Sequence, residues 1–209
     1  MTPGNCVRKL VSNLPSYIRN WLEWLVILGQ SPPPAGFPGL GPAEPRYQKE
    51  EADRRRRPTR YVMSSLFLDR SYRYLTRTRP EDLHLATGVV LNGAFILNEI
   101  IQLPNVQRAL TGASASPVET SKGLLSIEAY GLTLGGLFHS HPGQGPDSTF
   151  PSSIDLRNHQ TWEKAYPLVG AVFSQDGYIR FFTSSVQPQV DVVGKKVSKI
   201  DENLYKLKI

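Results

Sequence analysis

The sequence predicts an α/β fold, a mixed β-sheet flanked by helices, with a helical extension ahead of it. Three observations carry the prediction. Between Tyr61 and Thr183, runs rich in β-branched and aromatic residues alternate with stretches whose apolar residues recur at helical spacing. Asn92-Gly93 sits between two apolar runs, a strong short-range signal for an antiparallel hairpin. The resulting order (helix, strands, helix, strand, loop, helix, hairpin) suits a sheet sandwiched by helices rather than a bundle or an all-β barrel.

The elements follow in chain order. Val7, Leu10, Val11, Leu14, Ile18, Trp21, Leu22, Leu25 and Val26 recur at helical spacing across residues 1–30, interrupted by Pro15, and predict an amphipathic helical segment. The apolar run from Trp21 to Leu28 contains Glu23 and is too short to span a bilayer, so no membrane partner is expected and a cytoplasmic location is. Residues 31–60 begin with SPPPAGFPGLGPAEP, which cannot build a ladder of backbone hydrogen bonds and reads as a linker. They continue into a basic flank containing Arg54-Arg55-Arg56-Arg57, where the absence of interleaved aromatics favours a solvated run over a nucleic-acid site.

The domain proper is expected over 61–209. Tyr61-Val62-Met63 predicts a short strand, and Ser64 or Ser65 can cap a helix carrying Leu66, Phe67, Tyr72 and Leu75, ended by Pro80. Leu83 to Leu91 and Ala94 to Leu103 form the hairpin. Ser114 to Gly123 reads as a loop, with a helix from Val118 to Tyr130 over the sheet. Leu134 to His141 predicts a strand, and Leu156 to Lys164 a helix with Trp162 on its buried side, broken by Pro167. Leu168 to Phe173 and Tyr178 to Thr183 pair through a turn at Ser174-Gln175-Asp176-Gly177, and the tail from Val186 is strand-like with a basic end. The 209 residues carry a net charge of +6 and one cysteine, Cys6, which excludes an intramolecular disulfide and leaves no sign of a Cys–His hydrolase.

The segment LFHSHPGQGPDSTFPSSID, Leu137 to Asp155, holds the chemistry. In a strand, His139 and His141 project to one side because side chains repeat with period two. Asp155, returning after a Gly/Pro-rich loop, can bring a carboxylate to the same point. Two neutral imidazoles and one carboxylate leave a fourth tetrahedral position for water, the pattern of a catalytic zinc site. With four histidines and one cysteine in the chain, a second, structural zinc is not expected. Ser152 or Ser153 is placed to cap a helix beginning near Asp155.

His139-Ser140-His141-Pro142 followed by Ser152-x-x-Asp155 resembles the signature of the JAMM (MPN+) metalloproteases, over a stretch running roughly from Tyr61 to Thr183. Ten residues separate His141 from Ser152 where the family has about seven, an extension that costs little in a surface loop. The resemblance implies the MPN/JAB fold, a cytidine-deaminase-like sandwich, and Zn²⁺ held by His139, His141 and Asp155. It also implies an oxyanion donor in Ser152 and a general base in Glu81, with Asp82 and Glu128 as substitutes. Glu81 stands seven residues before Gly88 rather than the commoner three, which preserves the side-chain parity along a strand. His159 is expected at the surface or at the cleft.

The implied activity is that of an isopeptidase acting at the C-terminal tail of a ubiquitin-like protein. The resemblance is to bacterial stand-alone members, which work beside E1-like and E2-like proteins, including in antiviral conjugation systems. Partners are then the ubiquitin-like protein and its conjugates. Two other readings remain open on sequence: a protease that trims a ubiquitin-like or sulfur-carrier precursor, and an MPN binding module without catalysis. A nucleic-acid role ranks behind both.

Overall fold

The computed structural model describes residues 60–209. The expected helical segment, linker and most of the basic flank lie outside the described residues. The elements run β1 (Arg60–Ser64), α1 (Ser65–Leu75), β2 (Leu83–Leu91), β3 (Ala94–Gln102), β4 (Gln107–Ala109), β5 (Gly112–Ser114) and α2 (Pro117–Ala129). There follow β6 (Thr133–Ser140), a 3-10 turn (Pro146–Thr149), α3 (Ser153–Glu163), β7 (Val169–Phe173), β8 (Tyr178–Phe182), β9 (Gln189–Val193), β10 (Val197–Asp201) and β11 (Leu204–Leu207).

Nine strands make one mixed sheet in the order β10-β11-β8-β7-β6-β2-β3-β1-β9. β1 runs parallel to β3 and β9, and β6 parallel to β7, while β2 is antiparallel to both its neighbours. The two faces of the sheet are packed separately. Phe67, Leu68 and Leu75 of α1 share one core with Phe95, Phe138, Phe173 and Phe181. Ile127 of α2 and Trp162 of α3 pack in the other with Leu85, Leu134 and Leu137. Alternation along β6 separates them, since Phe138 turns to the α1 side and Leu137 and His139 to the α3 side. All five residues of β7 are buried, as a central strand covered on both faces must be.

Local chemistry accounts for the turns. Asn92 and Gly93 both have positive φ (51° and 77°), the two left-handed residues that a tight hairpin matching strand twist requires. Gly88 sits where the pairing of β2 slips against β3; a Cβ there would meet the Ile96 carbonyl oxygen at 1.8 Å, so only glycine allows the backbones to approach. Among the described residues, no helix is long and apolar enough to cross a membrane.

Three element expectations need correction. α1 ends at Leu75, well before Pro80, because Thr76 closes it by donating both its N–H (2.9 Å) and its hydroxyl (2.8 Å) to the Tyr72 carbonyl. The stretch expected as a loop from Ser114 already contains the start of α2: Ser116 caps the helix through its hydroxyl, which accepts from Glu119 N–H, and Pro117 occupies the first turn. Ahead of it lies the unforeseen β4–β5 hairpin, two three-residue strands too short to show any period.

Candidate metal centre and active-site cavity

Register brings the candidate residues together. β2 runs antiparallel to β6 with Leu83 opposite His139 and His84 opposite Phe138. Continuing the same register two residues outward sets Glu81 opposite His141, and parity turns both toward the α3 side. Ser140, between the histidines, locks this alignment from the other face. Its N–H donates to the Asp82 carbonyl (3.0 Å), its Oγ accepts from Asp82 N–H (3.0 Å), and its hydroxyl donates to the Leu75 carbonyl (2.9 Å).

Asp155 arrives on the first turn of α3. Ser152 is the N-cap, and the helix starts at Ser153, ahead of the expected position near Asp155. The cap is reciprocal: Asp155 N–H donates to Ser152 Oγ (3.2 Å) and Ser152 N–H donates to Asp155 Oδ2 (2.7 Å). That second bond fixes the carboxylate against the two imidazoles. His139 Nε2 lies 3.4 Å from Asp155 Oδ1, His141 Nε2 lies 3.6 Å from Oδ2, and the two Nε2 atoms are 3.2 Å apart. One ligand atom from each residue falls within 4.8 Å of the others.

The donor set fits a divalent cation. His141 Nδ1 is 2.8 Å from the Ser148 carbonyl, which can only accept, so Nδ1 carries a proton and Nε2 is the atom turned to the cluster, where its lone pair can serve a cation. Two imidazole nitrogens and a carboxylate at this spacing leave room for an ion that takes mixed nitrogen and oxygen ligands. In the cation-free protein, burial would raise the Asp155 carboxyl, but hydrogen bonds from His139 and His141 outweigh it and hold the group far below the usual carboxylate range. Burial disfavours a charged His141, yet its bonds to Asp155 and Ser148 and the nearby Glu81 carry its pKa upward.

These residues line a cavity of about 470 Å³ together with Glu81, Ser152, Asn158, and the aliphatic floor of Leu83, Leu85 and Leu137. Glu81 is 9% exposed, and burial raises its pKa against the opposing pull of His141 and His139. Its N–H donates to Ala109 on the β4–β5 hairpin (2.9 Å), whose Thr111, Gly112 and Ala113 form one wall of the cavity. The alternatives to Glu81 lie elsewhere in their bonding or position. The Asp82 carboxylate, wholly buried, is engaged by Arg108 (2.8 Å), Arg77 (3.3 Å) and Leu83 N–H (2.9 Å), and Glu128 is exposed on α2. Ser152 Oγ takes the capping bond through a lone pair, which leaves its O–H hydrogen for a further acceptor.

No protein-family model matches the chain. A curated relative from Thermus thermophilus, described as a probable TtuB-protein conjugate cleaving protease, is 33% identical over 135 residues, a match spanning 64% of this chain and 82% of the relative. The chain belongs to the JAMM/MPN family. Among solved structures, one from Desulfitobacterium hafniense, determined in solution, matches with a TM-score of 0.49 at 15% identity, covering 65% of this chain and 94% of its own. A JAB1/MPN domain protein from Archaeoglobus fulgidus matches with a TM-score of 0.41 at 16% identity, covering 64% and 99%.

Against the JAMM motif, the chain has a residue for every position and departs in the spacer, whose ten residues include the 3-10 turn from Pro146 to Thr149. His159, expected at the surface or the cleft, is 2% exposed and lines the cavity, one helical turn beyond Asp155. Its Nε2 lies 3.2 Å from Glu163 Oε1, its ring packs on Phe182 with centroids 5.0 Å apart, and burial lowers its pKa. The i, i+4 spacing of Asp155, His159 and Glu163 carries this signal in the sequence. Ser140 had no such signal, because its role depends on which strand lies beside it.

Proposed function

We propose that the protein is a zinc-dependent isopeptidase that hydrolyses the amide bond joining the C-terminal tail of a ubiquitin-like protein to a lysine. The observation that carries this reading is the convergence of His139, His141 and Asp155 within 4.8 Å, in the wall of a cavity that they share with Glu81 and Ser152. The Thermus relative, named for cleaving protein conjugates, supports the choice of bond. Zn²⁺ would be held by the two Nε2 atoms and the carboxylate, and it supplies a Lewis acid that makes water ionisable near neutral pH.

The chain's own groups do the rest. Glu81, desolvated and with its pKa raised, takes the proton of the attacking water. The scissile carbon becomes tetrahedral, and the Ser152 O–H donates to the developing oxyanion, an interaction of the kind worth on the order of 10²-fold in rate. Glu81 then returns the proton to the lysine amine as the C–N bond breaks, so that acid and amine leave in balance. Asp155 is kept from swinging away by Ser152 N–H, and His141 is kept in one tautomer by Ser148. The aliphatic floor of Leu83, Leu85 and Leu137 lowers the polarity beside the reacting groups, which strengthens each of these contacts.

The ubiquitin-like protein and its conjugates are the proposed partners, with the E1-like and E2-like proteins that make such conjugates upstream. The test is incubation of the Zn²⁺-loaded protein with a lysine-linked conjugate and, separately, with a linear tail-extended precursor. Release of free ubiquitin-like protein from the conjugate, lost in Glu81→Gln, is the expected result. Cleavage of the precursor alone replaces this reading with precursor processing, and cleavage of neither by protein that binds zinc leaves a binding module.

A further inference from the structure

The spacer between His141 and Ser152 is longer than the family's, and a longer loop between two ligand-bearing elements must be pinned or it will not hold either ligand in place. The β7–β8 hairpin supplies the pins. Gln175 N–H donates to the Gly143 carbonyl (2.9 Å), and Gly145 N–H donates to Asp176 Oδ1 (3.0 Å). Gly145, at φ 80°, makes the bend that leads into the 3-10 turn.

Arg180 then takes hold of that turn at both ends. Its Nη2 donates to the Pro146 carbonyl (3.4 Å), its Nε donates to Thr149 Oγ1 (3.2 Å), and its guanidinium carbon lies 3.9 Å from the centre of the Phe150 ring. Ile179 and Phe181 on either side of it are buried in the α1-side core, so alternation along β8 directs Arg180 to the face that carries the cluster. Between its two anchor points lies Ser148, whose carbonyl receives the Nδ1 proton of His141.

We infer that Arg180 is a positioning residue for the metal centre: by gripping Pro146, Thr149 and Phe150, it holds the Ser148 carbonyl where it fixes the His141 tautomer and aims Nε2 at the ion. The inference rests on the proposed metal reading. It separates Arg180 from the capping box, which orients Asp155 by its own bonds. The planar fork of arginine is what this geometry needs, because one group must satisfy two acceptors about a turn apart while stacking on a ring.

Zn²⁺ affinity, measured by competition with a chromophoric chelator, tests it in wild type, Arg180→Met, Arg180→Lys and Thr149→Val. Loss of a partner that orients a metal-binding histidine costs about 10- to 100-fold in affinity, and that is the drop expected for Arg180→Met. Arg180→Lys recovers only part of it, and Thr149→Val, which removes one of the two acceptors, shows a smaller drop. Nitrogen-15 spectra of the metal-free protein, taken at a pH high enough to make the His141 ring neutral, should show it protonated at Nδ1 in wild type and a tautomer mixture in Arg180→Met. Should Arg180→Met not fold, Thr149→Val and its spectra decide. Equal affinities and spectra in all variants, or a lowered melting temperature with unchanged affinity, overturn the inference alone. A wild-type protein that takes up no zinc overturns it together with the metal reading.

Discussion

Replacing Ser140 with alanine tests how the two halves of the site are joined. The hydroxyl is fully buried and makes two bonds, accepting from Asp82 N–H and donating to the Leu75 carbonyl. Alanine leaves both partners buried without it, and an unmet buried group costs about 1–3 kcal/mol. The Leu75 carbonyl, at a helix end, sits at the low end of that range, so the total comes to about 2–4 kcal/mol. In a domain of this size, each kcal/mol moves the midpoint by about 2–4 °C, which places the fall between about 4 and 16 °C. Because Asp82 follows Glu81, kcat should fall as well. Thermal and denaturant unfolding measure the first effect and steady-state hydrolysis the second. Ser126→Ala, which removes a hydroxyl bonded only back to Lys122 of the same helix, is the control and should stay within about 0.5 kcal/mol of wild type. A Ser140→Ala protein as stable and as active as that control would refute the reasoning.

Further outcomes follow from other residues. Glu81→Gln should keep its zinc, measured by metal analysis, and lose about 10²- to 10⁴-fold in kcat, since only the proton acceptor is gone. His84, wholly buried beside Tyr74 and Phe138, has its pKa lowered by burial from 6.5 to about 4. Between those two pH values the unfolded chain holds the extra proton, so the His84 contribution to stability should fall by about 3 kcal/mol as pH drops from 6.5 to about 4 and change no further below. Denaturant titrations across that window should show His84→Leu without this part of the slope. Gly88→Ala drives a methyl group into the Ile96 carbonyl oxygen and should cost about 3 kcal/mol or more in unfolding experiments, because backbone cannot yield as a side chain can.

Much of the site was legible because its logic is local. His139 and His141 needed only the period of a strand, Ser152 the chemistry of a helix cap, and Asp155 a Gly/Pro-rich loop that turns back toward the histidines. Asn92-Gly93 announced its hairpin through the one conformation those residues favour. Other features were not legible, because they arise from which strand lies beside which. Glu81 was placed by the family resemblance, with side-chain parity as its geometric support, and the reason it reaches the cavity is the register of β2 against β6. Ser140, Arg108 and Arg180 look like ordinary polar residues until their neighbours in space are known. β4 and β5 are too short for any periodicity, and the i, i+4 spacing that puts His159 beside Glu163 says nothing of its burial until Phe182 of β8 is seen to pack on it.

The measurement that bears most directly on the account is zinc content per chain, determined by elemental analysis after exhaustive dialysis, for wild type and Asp155→Asn. One zinc in the wild type, and little or none in a folded Asp155→Asn protein that no longer hydrolyses conjugates, is the expected result. A wild type that cleaves conjugates equally well without any divalent metal, or an Asp155→Asn protein with full zinc and full turnover, would contradict it.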